Sequence, residues 1–268
     1  MLSARAFRIM IYDYFEHSKR NFAWRDIENP YYIVVSEIML QQTQTFRVAD
    51  KFDRFVQVFP DFHTLAQAPF AGVLSLWKGL GYNRRALYLQ HIAQRVVRDH
   101  AGVLPCDLHV LQTFDGIGPA TASSILTFAF NKPEVFIETN IRAVFLHHFF
   151  PKETQVHDRE LLPLVKKMLD TQNPRQWYYA LMDYGVMLKK QYKNPARRSK
   201  HHATQSRFEG SDRQIRGKIL ELLLKYGALS ADDLCGFIKC DYDWLSKIVK
   251  QLVAEKMIVS VRDKFFIA

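Results

Sequence analysis

Cysteine and long apolar runs are scarce in this 268-residue sequence. Its three cysteines, Cys106, Cys235 and Cys240, are an odd number and lie far apart, which indicates a reducing compartment rather than a disulfide framework. No apolar stretch approaches the roughly 18 residues that a membrane-spanning helix needs. Asp13 and Glu16 lie within the basic N-terminal stretch, so it predicts a first helix rather than a targeting peptide. We expect a cytoplasmic protein without membrane contact.

The usual signatures of metal and nucleotide sites are also missing. The histidines at 147–148 and 201–202 are adjacent pairs, whereas two ligands on one helical face need a spacing of four. We find no Walker loop, dinucleotide fingerprint or nucleophile elbow. The sequence therefore predicts no metal site.

Positive charge and apolar residues are abundant instead. The sequence has 37 Lys and Arg against 27 Asp and Glu, a net charge of +10, and a pI of about 9.5. This balance favours a polyanion among the partners, although many basic proteins bind nothing acidic. With 48% hydrophobic residues, the chain can bury a substantial core in one large and one small domain, or in two modest ones.

Helical periodicity dominates up to about Gly185, and strand-like alternation is nearly absent there. Clusters of Gly, Pro and Asn separate the periodic segments, as expected for breaks between helices. We therefore predict an all-α domain over residues 1–188. Its clearest periodic segments are Ala6–Phe15, Val34–Gln44, Val48–Phe59, Phe70–Lys78, Arg85–His100 and Leu161–Leu169.

A basic segment follows this domain. Residues Lys189–Phe208 contain seven Lys or Arg, two His and no carboxylate, so we assign 189–210 to a basic linker. A solvated linker is one interpretation. A strip that contacts phosphates is the other, and we favour it slightly, with Lys190, Arg197 and Arg198 as candidate contacts.

Residues 211–268 have the pattern of a small α+β winged-helix domain. Three helices are followed by two β-rich pieces joined by Arg262-Asp263, and Ser230 is the expected cap of the second helix. Such domains bind DNA or dock proteins, and this one is nearly neutral, so both roles stay open. The expected segments are Asp212–Tyr226, a second helix after Ser230, Tyr242–Glu255, Met257–Val261 and Lys264–Ile267.

The strongest local motif is the stretch Leu111–Ala122. Gly116 and Gly118 flank Ile117 and allow a tight turn with positive φ before a helix that starts near Pro119. Backbone N–H groups at such a helix N-terminus bind phosphate without reading sequence. An ordinary packing corner is the alternative, but the glycines, the aliphatic residue between them and the Thr121-Ala122 continuation favour the phosphate-binding hairpin.

Two glutamates have the context of catalytic acids. Glu37 is a lone acid in the apolar helical segment Ile33–Leu40, where partial burial would raise its pKa; a salt bridge with Arg25 is the alternative. Glu138 follows an apolar run and opens a helix; the alternative is a surface charge beside a cap made by Thr139 or Asn140. One acid to protonate a leaving group and one carboxylate near a cationic sugar suit the cleavage of a glycosidic bond.

Taken together and in this order, several motifs resemble the MutY-like adenine glycosylases of the helix-hairpin-helix (HhH-GPD) DNA glycosylase superfamily. The resemblance covers roughly the first 188 residues and implies the helix-hairpin-helix glycosylase fold. It rests on Ala23-Trp24-Arg25, Asn29-Pro30-Tyr31, Ser36–Gln44, Leu76–Tyr82, the hairpin, and Ala180–Gly185.

The resemblance implies a role for each matching residue. Glu37 matches the general acid, which protonates the purine and handles the attacking water. Gln42 and Tyr82 match side chains that wedge into the duplex while the target nucleotide is flipped. The base pocket would include Trp24, Arg25, Tyr179 and Asp183, and DNA contacts would include Gln41, Gln42, Thr43, Tyr82, Gly116, Gly118, Ala120 and Thr121.

Departures from the family pattern refine these expectations. Glu138 replaces the sugar-facing aspartate with a side chain one methylene longer, which can weaken catalysis. Ala120 replaces the Schiff-base lysine of bifunctional relatives, so we expect no lyase step. Tyr179 stands in place of a glutamine that reads adenine, while Asp183 keeps an acid. The four-cysteine iron–sulfur loop and the module that reads 8-oxoguanine are absent, so we expect no cofactor.

Three functional hypotheses follow. The first is a monofunctional DNA glycosylase of base excision repair that removes mispaired or damaged adenine or another purine. The second keeps the fold but removes thymine or uracil from mismatches, and the third is a DNA-damage-binding protein with weakened catalysis. The expected partner is double-stranded DNA with a lesion or mismatch, bound by a monomeric, nucleoid-associated protein.

Overall fold

A computed structural model describes residues 2–25 and 27–268, and helices form most of it. A small sheet occurs near the C-terminal end. Among the described residues, no helix is both long and apolar enough to cross a membrane. In chain order the elements are α1 (Ala4–Ser18), α2 (Pro30–Leu40), α3 (Thr45–Val58), α4 (Phe62–Gln67), α5 (Phe70–Trp77), α6 (Arg84–His100), α7 (Leu108–Gln112), α8 (Pro119–Phe130), α9 (Thr139–Phe149), α10 (Asp158–Met168), α11 (Pro174–Gln191), a 3₁₀ helix (Pro195–Arg198), α12 (Asp212–Tyr226), β1 (Leu229–Ser230), α13 (Ala231–Ile238), α14 (Tyr242–Ala254), β2 (Ile258–Val261) and β3 (Lys264–Ile267).

The chain divides into two compact units, each made of separate stretches of sequence. Both units contain part of the predicted glycosylase domain 1–188, and unit 2 also contains the predicted winged helix. The domain boundaries at 188 and 210 stay predictions. Unit 1 comprises Met1–Glu37, Pro105–Thr113 and Ile117–Thr204, and unit 2 comprises Ile38–Leu104, Phe114–Gly116 and Gln205–Ala268.

Unit 1 is built around an aromatic core between α1, α9 and α11. Phe7 lies with its ring centroid 5.6 Å from that of Phe145 and 5.9 Å from that of Trp177. All three side chains are fully buried. Because α11 is buried at five successive positions, 177–181, it shows no amphipathic stripe, and the periodicity of the sequence did not reveal it.

The predicted helices are present, with shifted ends. The helix expected over Val34–Gln44 begins at Pro30 and ends at Leu40, and a turn occupies the next three residues. Helix α4 was not predicted, since at six residues it is too short for a periodic signal; Asp61 caps it by accepting from Thr64 N at 2.7 Å.

Within the predicted linker, residues 189–204 belong to unit 1. Helix α11 continues to Gln191, and Pro195 and Ala196 are buried in the 3₁₀ helix. Arg198 donates to the last carbonyls of α9, at 2.5 Å to Phe150 O and 2.7 Å to Leu146 O. A basic side chain at a helix C-terminus is favoured there by both hydrogen bonding and the helix dipole. These bonds argue against the phosphate contact predicted for Arg198.

The winged-helix elements form as predicted within unit 2. Ser230 caps α13 in a capping box with Asp233, and α14 ends one residue before the predicted Glu255. Strands β2 and β3 pair antiparallel from Ile258 opposite Ile267. The short β1 was not predicted, since two residues give no pattern; it completes a sheet of order β1-β3-β2.

Candidate active site

Glu37 lies on α2 among buried apolar neighbours. Ile33, Val35, Ile38 and Met39 are at most 1% exposed, while Glu37 itself is partly exposed. Its Oε2 accepts a hydrogen bond from Ser124 Oγ at 2.5 Å. Helix α2 thus positions an acid whose partner is a neutral hydroxyl.

Glu138 is the N-cap of α9. Its Oε1 accepts from the backbone N–H groups of Asn140 at 2.7 Å and Ile141 at 2.8 Å, and its Oε2 accepts from Asn140 Nδ2 at 3.0 Å. The alternative in which Thr139 or Asn140 caps this helix, with Glu138 as a surface charge, is therefore wrong. The longer side chain folds back onto the helix end that it opens, where a carboxylate satisfies two free N–H groups.

The two carboxyl groups lie within electrostatic reach of one another. Burial raises the pKa of Glu37 to about 7; the Ser124 hydrogen bond opposes this rise, and the negative charge of Glu138 adds to it. Burial also raises the pKa of Glu138, against the N–H groups of Ile141 and Asn140 and the positive charge of Lys189. Glu37 is thus suited to hold a proton near neutrality, while Glu138 has the donors that stabilise an ionised carboxylate.

Asp183 and Arg25 form a buried ion pair. Arg25 donates to Asp183 at 2.7 and 2.8 Å, and Arg20 donates through its backbone N at 2.9 Å and its Nε at 2.6 Å. The side chain of Asp183 is 0% exposed and that of Arg25 is 7% exposed. The alternative salt bridge between Glu37 and Arg25 is therefore wrong, because Arg25 is taken by an acid 158 residues away.

The other two predicted base-pocket residues, Tyr179 and Trp24, make aromatic contacts. The Arg25 guanidinium lies 4.7 Å from the ring centroid of Tyr179, which stacks on Phe128 at 4.6 Å. Trp24 is buried and stacks on Phe22 at 4.9 Å. The structure thus brings Arg25, Tyr179 and Asp183 together in unit 1. Their contact with a base stays a prediction.

Arg85 is a positioning residue that the sequence pattern did not reveal. From α6 it donates to the carbonyl oxygens of Ile38 at 2.9 Å and Met39 at 2.8 Å, at the end of α2, and to Gly81 O at 3.0 Å. A further bond at 2.8 Å joins it to Thr43 Oγ1. In the sequence, the only indication of this role was the position of Arg85 on the apolar face of an amphipathic helix, where it is buried. Arg85 holds two loops of unit 2 in place.

Those two loops carry the predicted wedge residues. Gln42 has φ +51° and Tyr82 has φ +47°, a left-handed conformation that is uncommon for residues with a Cβ. Gln42 is exposed and Tyr82 is half-buried. In the same unit Gln41 Nε2 donates to Gly116 O at 3.0 Å. Insertion of Gln42 and Tyr82 into DNA stays a prediction.

The two hairpin glycines differ. Gly116 has φ +74°, and an added Cβ would lie 2.6 Å from Tyr88 Cδ2, so this position needs glycine. Gly118 has φ −84° and ψ 177°, an extended conformation open to other residues, so the predicted positive φ is wrong there. Gly118 caps α8 without a side chain, and Pro119 occupies the first turn. Exposed Ala120 and half-buried Thr121 follow at this helix start.

The residues after α11 do not fit an iron–sulfur cluster. A cluster of this kind needs four thiolate ligands. The sequence has cysteines only at 106, 235 and 240, and none between 186 and 210. Lys190 and Arg197 in this segment are exposed. Their contact with phosphate stays a prediction.

A family model described as "HhH-GPD superfamily base excision DNA repair protein" matches residues 35–167. The adenine DNA glycosylase of Mycolicibacterium smegmatis is 30% identical over 233 residues, which are 80% of this chain and 79% of the relative. That of Buchnera aphidicola is 30% identical over 179 residues, 65% of this chain and 50% of the relative. That of Mycobacterium tuberculosis is 38% identical over 132 residues, 49% and 43% of the two chains. The chain therefore spans half or less of the length of the last two relatives.

Solved structures agree with this fold. A thermostable thymine-DNA glycosylase is similar with a TM-score of 0.62 at 23% identity, over 69% of this chain and 86% of that one. Endonuclease III, trapped as a covalent intermediate with DNA, is similar with a TM-score of 0.58 at 16% identity, over 70% and 88%. At these identities the likeness establishes the fold alone. Together with the sequence matches, it shows that the chain belongs to the HhH-GPD superfamily of base excision DNA repair proteins.

Proposed function

We propose that this protein is a monofunctional DNA glycosylase that hydrolyses the N-glycosidic bond of adenine or another purine in duplex DNA. The observation that carries the proposal is Glu37, whose pKa is raised to about 7 by burial and by the negative charge of Glu138. A purine leaves poorly without protonation, and an acid with a pKa near neutrality is well matched to that task. The similarity to adenine DNA glycosylases supports the same choice of base.

In the proposed reaction the bond between C1′ of the deoxyribose and the base nitrogen breaks. The base takes the Glu37 proton and the electron pair of that bond. The oxygen of a water molecule then bonds to C1′, and the water returns a proton to Glu37. The ionised carboxylate of Glu138 stabilises the positive charge on the sugar.

Asn140 has the geometry to assist this step. Its Nδ2 donates to Glu138 Oε2 at 3.0 Å, while its buried Oδ1 has no hydrogen-bond partner in the described part of the chain. A buried acceptor of this kind is costly unless a ligand or water uses it. We propose that Asn140 Oδ1 accepts a hydrogen bond from the attacking water.

The proposed partner is double-stranded DNA with a lesion or mismatch. The net charge of +10 and the α8 N-terminus, which has no side-chain cap, support phosphate binding there. Ala120 has no amine to form a Schiff base, so the proposed reaction ends after hydrolysis. A monomeric state, a nucleoid location and a reaction without an iron–sulfur cluster are parts of the same proposal.

A second candidate is removal of thymine or uracil from mismatches. It is favoured by Tyr179, which stands in place of the family's adenine-reading glutamine and lies against Arg25 and Phe128. A phenol offers a different hydrogen-bonding pattern from an amide. A damage-binding protein without catalysis is the third candidate, favoured by the replacement of the sugar-facing aspartate by Glu138.

A panel of lesion-bearing duplexes separates these candidates. Purified protein is incubated with duplexes containing A opposite 8-oxoguanine, A opposite G, hypoxanthine opposite T, T opposite G, or U opposite G, and alkali then breaks abasic sites. We expect breaks in the purine duplexes and none with Glu37→Gln. Glu16→Gln, at an exposed position, is the matched control and should behave as the unmodified protein. Breaks only at T or U support the second candidate, and inert duplexes support the third.

A further inference from the structure

A large cleft lies within unit 2, and neither Glu37 nor Glu138 is among its lining residues. Its volume is about 1600 Å³, and its walls come from residues 41–47, 74–88, 205–225 and 251–255. Small-molecule pockets typically measure about 300–1,000 Å³. The cleft therefore suits an extended ligand rather than a single small molecule.

The walls of the cleft are strongly basic. Eight Lys or Arg and two glutamates line it. Glu221 pairs with Lys78 at 2.5 Å, and Glu255 pairs with both Arg84 and Arg216. Arg47, Arg213 and Lys218 have no carboxylate partner within the described part of the chain. Such a surplus of cations favours a polyanion.

An aromatic ring stands among these cations. Tyr82 has the guanidinium of Arg85 at 5.5 Å from its ring centroid and that of Arg213 at 5.7 Å. Its hydroxyl accepts from Arg213 Nη1 at 3.0 Å and is also hydrogen-bonded to Gln205 Nε2. Helix α12 of the winged helix thus holds the Tyr82 side chain in the wall of the cleft.

We infer that this cleft binds an unpaired stretch of a DNA strand, with phosphates on Arg47, Arg213 and Lys218 and one base stacked on Tyr82. Cationic grooves that contain aromatic side chains are the usual sites for single strands. The bases of an intact duplex are stacked on one another and offer a face to a ring only where the duplex is unstacked, so the aromatic wall favours an unpaired strand over a phosphate backbone alone. The inference rests on the proposed function, because flipping a nucleotide leaves unpaired bases beside the protein.

The test measures binding of a labelled oligodeoxythymidylate about 20 nucleotides long to the full chain by fluorescence anisotropy. Lys218→Glu should weaken binding by about tenfold at ~0.1 M salt and reduce the salt dependence by about one counterion. Tyr82→Leu should weaken it by about tenfold through loss of stacking. Lys250→Glu is the matched control, since Lys250 is also an exposed helical lysine but lies outside the cleft lining, and it should leave binding unchanged.

The inference requires that the unmodified protein binds the oligonucleotide, and two further results would overturn it. One is equal binding by the unmodified protein, Lys218→Glu and Tyr82→Leu. The other is displacement of the oligonucleotide by thymidine monophosphate at the same nucleotide concentration, which would indicate a small-molecule site. Oligodeoxythymidylate contains neither purine nor duplex, so this binding is read independently of base release. If the unmodified protein binds the oligonucleotide but releases no base from any duplex, the glycosylase proposal alone is rejected. If it releases a base but does not bind the oligonucleotide, the cleft proposal alone is rejected.

Discussion

Two acids of unit 1, Asp183 and Glu37, differ in how their charge is compensated. Asp183 accepts four hydrogen bonds from Arg20 and Arg25, and these two guanidinium-bearing residues hold its pKa below the usual range despite burial. Glu37 accepts one bond from the neutral Ser124, and its pKa rises to about 7.

This difference separates a carboxylate that cations keep ionised from one that can hold a proton near neutral pH. Asp183 stays ionised and joins α11 to the segment that holds Arg20 and Arg25, because a buried carboxylate with two cationic partners has little reason to take a proton. Glu37 lacks such partners and exchanges a proton near neutral pH. Both acids were predicted as site residues, and of the two only Glu37 has the raised pKa that the proposed general acid needs.

The largest expected effect is on catalysis at Glu37. Glu37→Gln should lower the single-turnover rate of base release by about 10³-fold, or about 4 kcal/mol, because the amide supplies no acidic proton. The measurement is chemical-quench kinetics on the best duplex of the panel, with protein in excess. A rate within about threefold of the unmodified protein would place the acid elsewhere.

The next effect is on stability at Asp183. Asp183→Asn should lower the free energy of unfolding by about 3–5 kcal/mol, because it leaves the buried guanidinium of Arg25 and the partly exposed one of Arg20 without a counter-charge. Urea unfolding at neutral pH measures it. Asp13→Asn is the matched control, since the Asp13 side chain is 75% exposed, and it should change little. If Asp183→Asn lowers the free energy of unfolding only slightly, water rather than Asp183 compensates the charges of the two arginines.

The third effect is a pH-dependent difference in the free energy of unfolding between Glu37→Gln and the unmodified protein. The pKa of Glu37 is about 7 in the folded protein and 4.5 for an unperturbed glutamate. The contribution of this group to stability is therefore complete below about pH 4.5 and is lost as the pH rises through about 7. Glu37→Gln should therefore be about 3 kcal/mol more stable than the unmodified protein near pH 8, with almost no difference near pH 4. A difference that is the same at both pH values would contradict the raised pKa.

The smallest effect concerns Ser124. Its hydrogen bond lowers the pKa of Glu37, so Ser124→Ala should raise that pKa further and shift the alkaline fall of base release to higher pH. The pH–rate profile measures the shift. Ser123→Ala is the control, because Ser123 is the buried neighbour on α8 and has no hydrogen bond to Glu37 among the described contacts. An unchanged profile in Ser124→Ala would remove Ser124 from the positioning of the acid.

Local signals in the sequence were sufficient to predict most helices and the elements of the winged helix. Helix α12 has the predicted bounds, and Ser230 caps α13 as expected, because caps and periodicity depend on residues within one or two turns. Glu37 and Glu138 were also predicted as catalytic acids from their local context and from the resemblance, and their catalytic roles stay predictions. Gly116 needs its positive φ, whereas the same expectation for Gly118 was wrong.

The sequence by itself determined the family, the helical architecture and which acids are candidates for catalysis. Only the tertiary structure decided how the charge of each acid is compensated, because a pKa depends on partners that are distant along the chain. Ser124 is 87 residues from Glu37, and Asp183 is 158 residues from Arg25. The same holds for Arg85 and Arg198, whose carbonyl partners belong to other helices and loops. Helix formation depends mainly on residues that are close in sequence. Burial and charge compensation depend on contacts that exist only after folding.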